Sequence, residues 1–426
     1  MLLRHGSERL DWRAILFECS LRSMLSIFKA IRVASGTALL LLIVGQVSEA
    51  YAQVGLAGAE FQTLQPYPHV HALGNATVAA SSSPGAIGVN PATIGESEAA
   101  RVGGNFNLRR GPVYSSPWFL PETWIAAPSA TVKRGDWAAG VQVKHFSRRT
   151  LDQRDPQGRR LPDLEQFEQS IKLAVAFDLS SRLTVGGAGN LIRSRVKRRT
   201  GNEVKLHPTL DLGVHYATEI EQGTVRLRPG VGFSLTDFGA TLSSIGPDDA
   251  PAPTTFRAGG ALEAASSSSR FGRPEWQVGL YGALSNLLVS GTFRQKDGRE
   301  YFEADGPFTA LFNGWGRTKG GIEGRSGERA EVGPWERLKK HVGIELGVLD
   351  ALSVRLGRFH ESDDNGGRQY TAFGLGVDVY YVSLDASWTL GDDPPLDQVS
   401  YGRLTVRIPL SDSPRNFWPA LLGGGD

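Results

Sequence analysis

Residues 170–196 read SIKLAVAFDLSSRLTVGGAGNLIRSRV, and two unlike faces alternate along them. Ile171, Leu173, Val175, Phe177 and Leu179 are large and apolar, whereas Lys172, Ala174, Ala176 and Asp178 between them are small or charged. After a short polar turn, Leu183 and Val185 resume the apolar series, with Arg182 and Thr184 on the other face. A period of two is the signature of a β-strand, whose successive side chains point to opposite sides of the sheet. The stretch therefore reads as a strand, a tight turn and a returning strand.

The same pattern recurs through most of the 426 residues. Leu210, Leu212, Val214 and Tyr216 alternate with Asp211, Gly213 and His215; Val225, Leu227, Val231, Phe233 and Leu235 alternate with Arg226, Arg228 and glycines. Val342, Ile344, Leu346 and Val348 enclose Glu345, and Phe373, Leu375, Val377 and Val379 enclose Asp378. Val382, Leu384 and Trp388 enclose Asp385, and Leu404, Val406, Ile408 and Leu410 alternate with Arg403, Thr405 and Arg407.

A soluble β-sandwich also alternates, with its polar face in water. Two features point instead to a transmembrane barrel. The strands have the nine to eleven residues that a tilted strand needs to cross a bilayer. The polar face is rich in Gly and Ala with scattered charges of both signs, which suits a crowded interior. Backbone groups in lipid need partners, and only a closed barrel gives a sheet without an edge. By this parity the interior receives Lys172, Asp178, Arg182, Asp211, His215, Arg226, Arg228, Glu345, Arg355, Asp378, Asp385, Arg403 and Arg407. Balanced charges of this kind form ion-pair networks. Trp137, Tyr216, Trp276, Tyr380, Tyr381 and Trp388 fall near strand ends, where interfacial girdles lie.

Connections alternate too. Residues 178–182, 218–223, 348–352 and 379–382 are short, while 147–166, 360–369 and 391–398 are longer and polar. That is the rhythm of short periplasmic turns and long outer loops. About fifteen strand candidates lie between Arg101 and Leu410; the even number expected of such barrels puts one miscount near 285–335, where KDGRE turns a hairpin or sits in a long loop. The expectation is an all-β, antiparallel transmembrane barrel of about fourteen strands, or sixteen.

The N-terminus reads as an export signal. Lys29 and Arg32 precede an apolar run from Ala38 to Val44, followed by Ala50-Tyr51-Ala52, a small-x-small cleavage pattern. Cleavage is expected after Ala52, with Met24 an alternative start. Loss of residues 1–52 removes Cys19, the one Cys, and both Met residues, which leaves no thiol nucleophile or disulfide framework. The remaining charge is balanced, with no basic footprint for nucleic acid. Residues 53–100 are expected to form a plug, 101–410 the barrel and 411–426 a tail.

Within 61–96, an ALGNATVA run containing Leu73-Gly74-Asn75-Ala76 is followed by a polar spacer and then NPATIG. With its Asn90-Pro91-Ala92, this segment resembles the start of the FadL/PorV-like outer membrane barrels. LGVHYA, VGFSLTDFG and TAFGLGVDVYYVSLDASW look like that group's strands. The resemblance implies about fourteen strands with the N-terminal segment inside or under the barrel, in the outer membrane of a Gram-negative bacterium. It implies one of two jobs. PorV/PorQ-type members work with the type IX secretion machinery, and FadL-type members pass hydrophobic small molecules. The tail SDSPRNFWPALLGGGD departs from the usual terminal aromatic strand.

Asn90-Pro91 reads as a turn or helix start, because proline favours a first helical turn and keeps its predecessor extended. No G-x-S-x-G, P-loop, G-x-G-x-x-G or H-E-x-x-H pattern occurs, so no catalytic residue, cofactor or metal is expected. His69 and His71 would share a face of a strand but lack a third ligand. Arg193, Arg195, Lys197, Arg198 and Arg199 form a basic rim at an outer strand end. No inward apolar cluster stands out, which argues against passive hydrophobic transport, and the ALGNATVA…NPA run resembles the PorV-like branch, so the non-enzymatic, secretion-linked reading is preferred. The expected partners are outer membrane lipid together with secretion proteins or a hydrophobic small molecule.

Overall fold

The computed structural model describes residues 57–409 except 81–83, 97–98, 110–123, 148–164, 199–200, 241, 243–249, 271–272, 297–298, 324–328, 350, 380 and 391–398. The expected leader and the tail 411–426 lie outside the described residues.

Fourteen strands close one barrel. β1 is Ala99–Arg109, β2 Ser129–Arg134, β3 Trp137–Ser147 and β4 Glu165–Asp178. β5 is Leu183–Arg198, β6 Gly201–Ala217, β7 Val225–Phe238, β8 Thr255–Ser266 and β9 Trp276–Leu287. β10 is Lys339–Val348, β11 Leu352–His360, β12 Gln369–Val379, β13 Val382–Leu390 and β14 Ser400–Pro409. Each pairs antiparallel with its neighbours in the chain, and β14 returns to β1 with Ala99 opposite Pro409, leaving no edge.

The fifteenth candidate resolves as expected near 285–335. Gly291–Lys296 and Arg299–Ala304 pair only with each other, outside the wall, with Lys296 opposite Arg299; Asp297 and Gly298 of KDGRE lie outside the described residues. One end of the barrel carries the short turns; the other carries the long connections, with the two-residue β5–β6 link the exception. The β1–β2 seam is the thinnest, with three residue pairs from Arg101–Thr131 to Gly103–Ser129. Beyond it, Trp124–Ala126 pairs with β3 instead.

The opening stretch shows why the sheet closes this way. Ile171, Leu173, Val175 and Phe177 are 48–62% exposed on the outer wall, while Lys172, Ala174 and Ala176 between them are at most 3% exposed. An outer surface of Val, Leu, Ile and Phe around a closed sheet belongs in lipid rather than water. Trp137 stands opposite Phe177 at the short-turn end, with Tyr216 and Trp276 half-exposed at the same level of their strands. Trp388 stacks with Phe373 near the other end, centroids 6.2 Å apart.

The described residues of 57–96 fill the lumen as short helical turns: Glu60–Thr63, α1 at Pro68–Ala72, Thr77–Ala79, Pro84–Gly88 and Pro91–Glu96. Pro68, Pro84 and Pro91 open three of them, where a missing amide hydrogen and a fixed φ cost nothing. The glycines of the inward face make room for this backbone. A β-carbon on Gly213 would stand 2.1 Å from Asn90 Oδ1, one on Gly232 2.2 Å from the Val78 carbonyl oxygen, and one on Gly357 2.2 Å from the Gly74 nitrogen. The crowding read from sequence is therefore the crowding of plug against wall.

Candidate functional site: the plugged lumen

Asn90 is the keystone of the plug. It is fully buried, and its Nδ2 donates to the Val78 carbonyl at 2.8 Å and to the Val214 carbonyl of β6 at 3.1 Å. Its Oδ1 accepts from the Ala92 amide at 3.1 Å, closing a small turn that Pro91 then leads into helix. One side chain thus joins two plug turns to the wall. The expected turn-or-helix start at Asn90-Pro91 takes this form, with Ala92 buried against Gly186.

The opposite wall grips α1. His69 Nε2 lies 3.2 Å from Glu345 Oε2, while His71 Nδ1 lies 3.0 Å from Ser387 Oγ and its Nε2 3.3 Å from Thr389 Oγ1. The two imidazoles sit on a helix, not a strand, so an i, i+2 spacing turns them towards different walls. Among the described residues no His/Cys/Asp/Glu cluster is placed to hold a metal. Burial drives the His71 imidazole down to about 3, so it docks neutral. Asn75 Nδ2 donates to Tyr370 OH at 3.0 Å, and His341 Nδ1 stands 2.8 Å from the Gly74 carbonyl.

The interior charges sort into three groups. On the β4–β8 wall, Lys172 Nζ lies 2.5 Å from Asp211 Oδ2 and 3.4 Å from Asp237 Oδ1, with Asn190 also donating to Asp237 at 3.0 Å. His215, on the same row as Asp211, turns instead to the Ala79 carbonyl of the plug at 3.2 Å. On the β10–β14 wall, Arg355 bridges Glu345 at 2.6 Å and Asp385 at 2.7 Å, Arg407 pairs with Asp378, and Arg403 donates to Asn105 Oδ1 at 2.7 Å. Third, Arg228 meets Glu263 at 3.2 Å near exposed Arg226. Asp178 is held by Lys133 at 2.7 Å and Thr184 at 2.6 Å. Arg182 is a correction: it lies on the exposed turn between β4 and β5, because the strand parity does not carry through a turn.

The plug divides the interior. Beneath it, towards the short turns, is a polar cavity of about 430 Å³ lined by the Glu345–Arg355–Asp385 group, Arg228, Glu263 and Arg407. On the other side is a small cavity of about 80 Å³ among His71, Phe359, Tyr370 and Tyr401. Beside it, Phe61 of the plug packs with Ile125, Phe146, Ile192, Val399 and Tyr401, all buried. This inward apolar cluster is absent from the sequence reading and corrects it. Its members come from the plug and four separate wall segments, so no run of sequence displays them together. Lys144, next to this cluster, reaches the Gln62 and Leu64 carbonyls, both at 3.0 Å. Of the basic rim, Arg193 and Arg195 lie over the Phe167 ring at 5.9 and 5.3 Å; the side chains of Lys197 and Arg198, and all of Arg199, lie outside the described residues.

No family model matches the chain, and no curated protein matches it. Among solved structures, the toluene transporter TbuX of Ralstonia pickettii is similar, with 10% identity and a TM-score of 0.44, covering 81% of this chain and 97% of that one. The toluene transporter TodX of Pseudomonas putida is similar at 13% identity and a TM-score of 0.42, covering 85% and 98%. A FadL homologue of Pseudomonas aeruginosa follows at 9% identity and 0.38, covering 85% and 98%. Likeness at this level carries nothing about individual residues.

Proposed function

We propose that the chain is a passive channel for small hydrophobic molecules across the outer membrane of a Gram-negative bacterium, closed at rest by residues 57–96. The observation that carries this reading is the apolar cluster around Phe61, Phe146, Ile192 and Tyr401, placed on the long-loop side of the plug. A wall meant only to fill space with ion pairs has no use for it. In this orientation the short turns face the periplasm and the cluster lies on the outer side. The cavity beside the cluster is far below the ~300–1,000 Å³ of a typical ligand pocket, so passage requires the plug to move.

The secretion-linked reading, first choice from the sequence, leaned on the likeness of the ALGNATVA…NPA run to the PorV-like branch and on the lack of an inward apolar cluster. The cluster around Phe61 removes the second of these. The NFWPALL segment of the tail, offered with the long loops as a protein-binding surface, lies outside the described residues. The test is deletion of the gene with two readouts. Loss of uptake of a labelled fatty acid or aromatic hydrocarbon, with an unchanged surface proteome, is the expected result. Unchanged uptake with loss of surface proteins overturns the proposal.

A further inference from the structure

Between β9 and β10 the chain leaves the wall for residues 288–338 and forms two hairpins with a short helix between them, α2 at Pro307–Asn313. The helix and its continuation read PFTALFNGW. Phe308, Leu311, Phe312 and Trp315 fall at i, i+3, i+4 and i+7, one face of a helix. In a water-soluble protein that face would turn inward. Here the small side turns inward: Ala310 is buried, and Asn286 Nδ2 donates to the Gly314 carbonyl at 3.0 Å. Phe308 is 70% and Phe312 80% exposed.

What the apolar face joins is the lipid-facing wall. Phe308 meets Phe238 edge-on with centroids 5.2 Å apart, and Trp315 meets Phe256 the same way at 5.2 Å. Phe238 stands opposite Leu210, an outward residue of β6, and Phe256 stands opposite Leu235, two residues from outward Phe233. The aromatic surface of α2 therefore continues the apolar belt at the long-loop rim. Arg337 fixes it there: its Nη1 donates to the Gly316 carbonyl at 3.2 Å and its Nη2 to those of Leu287 and Val289 at 3.2 and 2.7 Å.

We infer that α2 is an interfacial anchor, with Phe308, Phe312 and Trp315 seated in the outer leaflet beside β7 and β8. Lipid is the occupant, because the exposed rings extend a surface that is already lipid-facing, and aromatic rings favour the interface. The inference rests on the barrel spanning a membrane.

The test uses the full chain in phosphatidylcholine vesicles with Cys19→Ser, carrying a nitroxide at one added cysteine. Phe312→Cys probes the helix, Phe233→Cys the wall and Glu221→Cys an exposed turn. Power-saturation spectroscopy then compares relaxation by oxygen with relaxation by a water-soluble nickel chelate. The expected result is that Phe312→Cys matches Phe233→Cys, with oxygen access retained and nickel access lost relative to Glu221→Cys. Nickel access at 312 equal to that at 221, with 233 still shielded, overturns the anchor and leaves the barrel reading intact. Nickel access at 233 overturns the barrel reading and the anchor with it. Dipolar broadening between labels at 312 assigns the face to a second copy and overturns the lipid assignment.

Discussion

Gly213 and Asn90 set the smallest scale on which the account is decided. A β-carbon at Gly213 meets Asn90 Oδ1 at 2.1 Å, far inside any tolerated contact. Gly213→Ala is therefore expected to push the plug off β6 while leaving the outer wall intact; the check is faster proteolysis within 57–96 from a barrel that keeps its heat-modifiable gel band. Asn90→Ala should have a related effect by another route. It leaves the buried Val78 carbonyl without this donor, at about 1–3 kcal/mol, and removes the tie to the Val214 carbonyl of β6. On the outside, Phe233→Arg puts a charge on the lipid face and costs ~2–4 kcal/mol near mid-membrane, so stable insertion should fail. Normal folding of that variant would invert the face assignment. These residues also mark what sequence makes legible. Parity alone separates Phe233 from Lys172, because a strand has only two faces. Parity fails at Arg182, where a turn interrupts the strand, and at His69 and His71, where Pro68 starts a helix.

At the scale of elements, the plug and the β9–β10 excursion lie outside the wall's ladder and are tied to it by side chains such as Asn90 and Arg337. Plug docking should depend on pH through His71. Its docked imidazole titrates near 3, below the ordinary 6.5 of a free histidine, so the released plug binds a proton that the docked plug does not. Docking strength is therefore complete above about pH 6.5 and declines as pH falls from there towards 3. Glu361, in the loop after β11, adds a separate acid dependence to the loop it holds with Arg368 and Lys339, not to the plug. Burial alone would raise its carboxyl, but Arg368 and Lys339 outweigh that and hold it at about 2, so its contribution is lost as pH falls from about 4.5 towards 2. Hydrogen exchange of the plug amides across the His71 range is the measurement, with His71→Gln expected to flatten it. For the excursion, Arg337→Ala removes three charge-assisted bonds to carbonyls, each contributing about 1.5–3 kcal/mol. New protease cleavage within 288–338, with the wall unaffected, is expected. The excursion was only partly legible in sequence: KDGRE announces a hairpin, but nothing local says that its strands pair with each other and not with β9 or β10.

The whole molecule is a closed wall, a plug that fits the glycines of that wall, and an interior whose two sides differ. Lys172, Asp211, Asp237 and the Glu345–Arg355–Asp385 group brace the wall by offsetting one another's burial. Phe61, Phe146 and Ile192 form a closed apolar cluster on the outer side. The alternation and turn rhythm make the barrel legible because each strand reports its own faces. The cluster is illegible because it exists only after the plug has entered and distant strands have closed. On the proposed function, a hydrophobic molecule passes only when the plug moves. The β-carbon of Ala72 lies 2.4 Å from where one on Gly374 would stand, so a disulfide between these positions, needing ~3.8 Å, asks for a small outward shift. The decisive measurement is uptake of a labelled aromatic hydrocarbon into vesicles holding Ala72→Cys/Gly374→Cys with Cys19→Ser. Uptake lost on oxidation and restored by dithiothreitol is the expected result; equal uptake by the bridged and reduced protein would contradict the account.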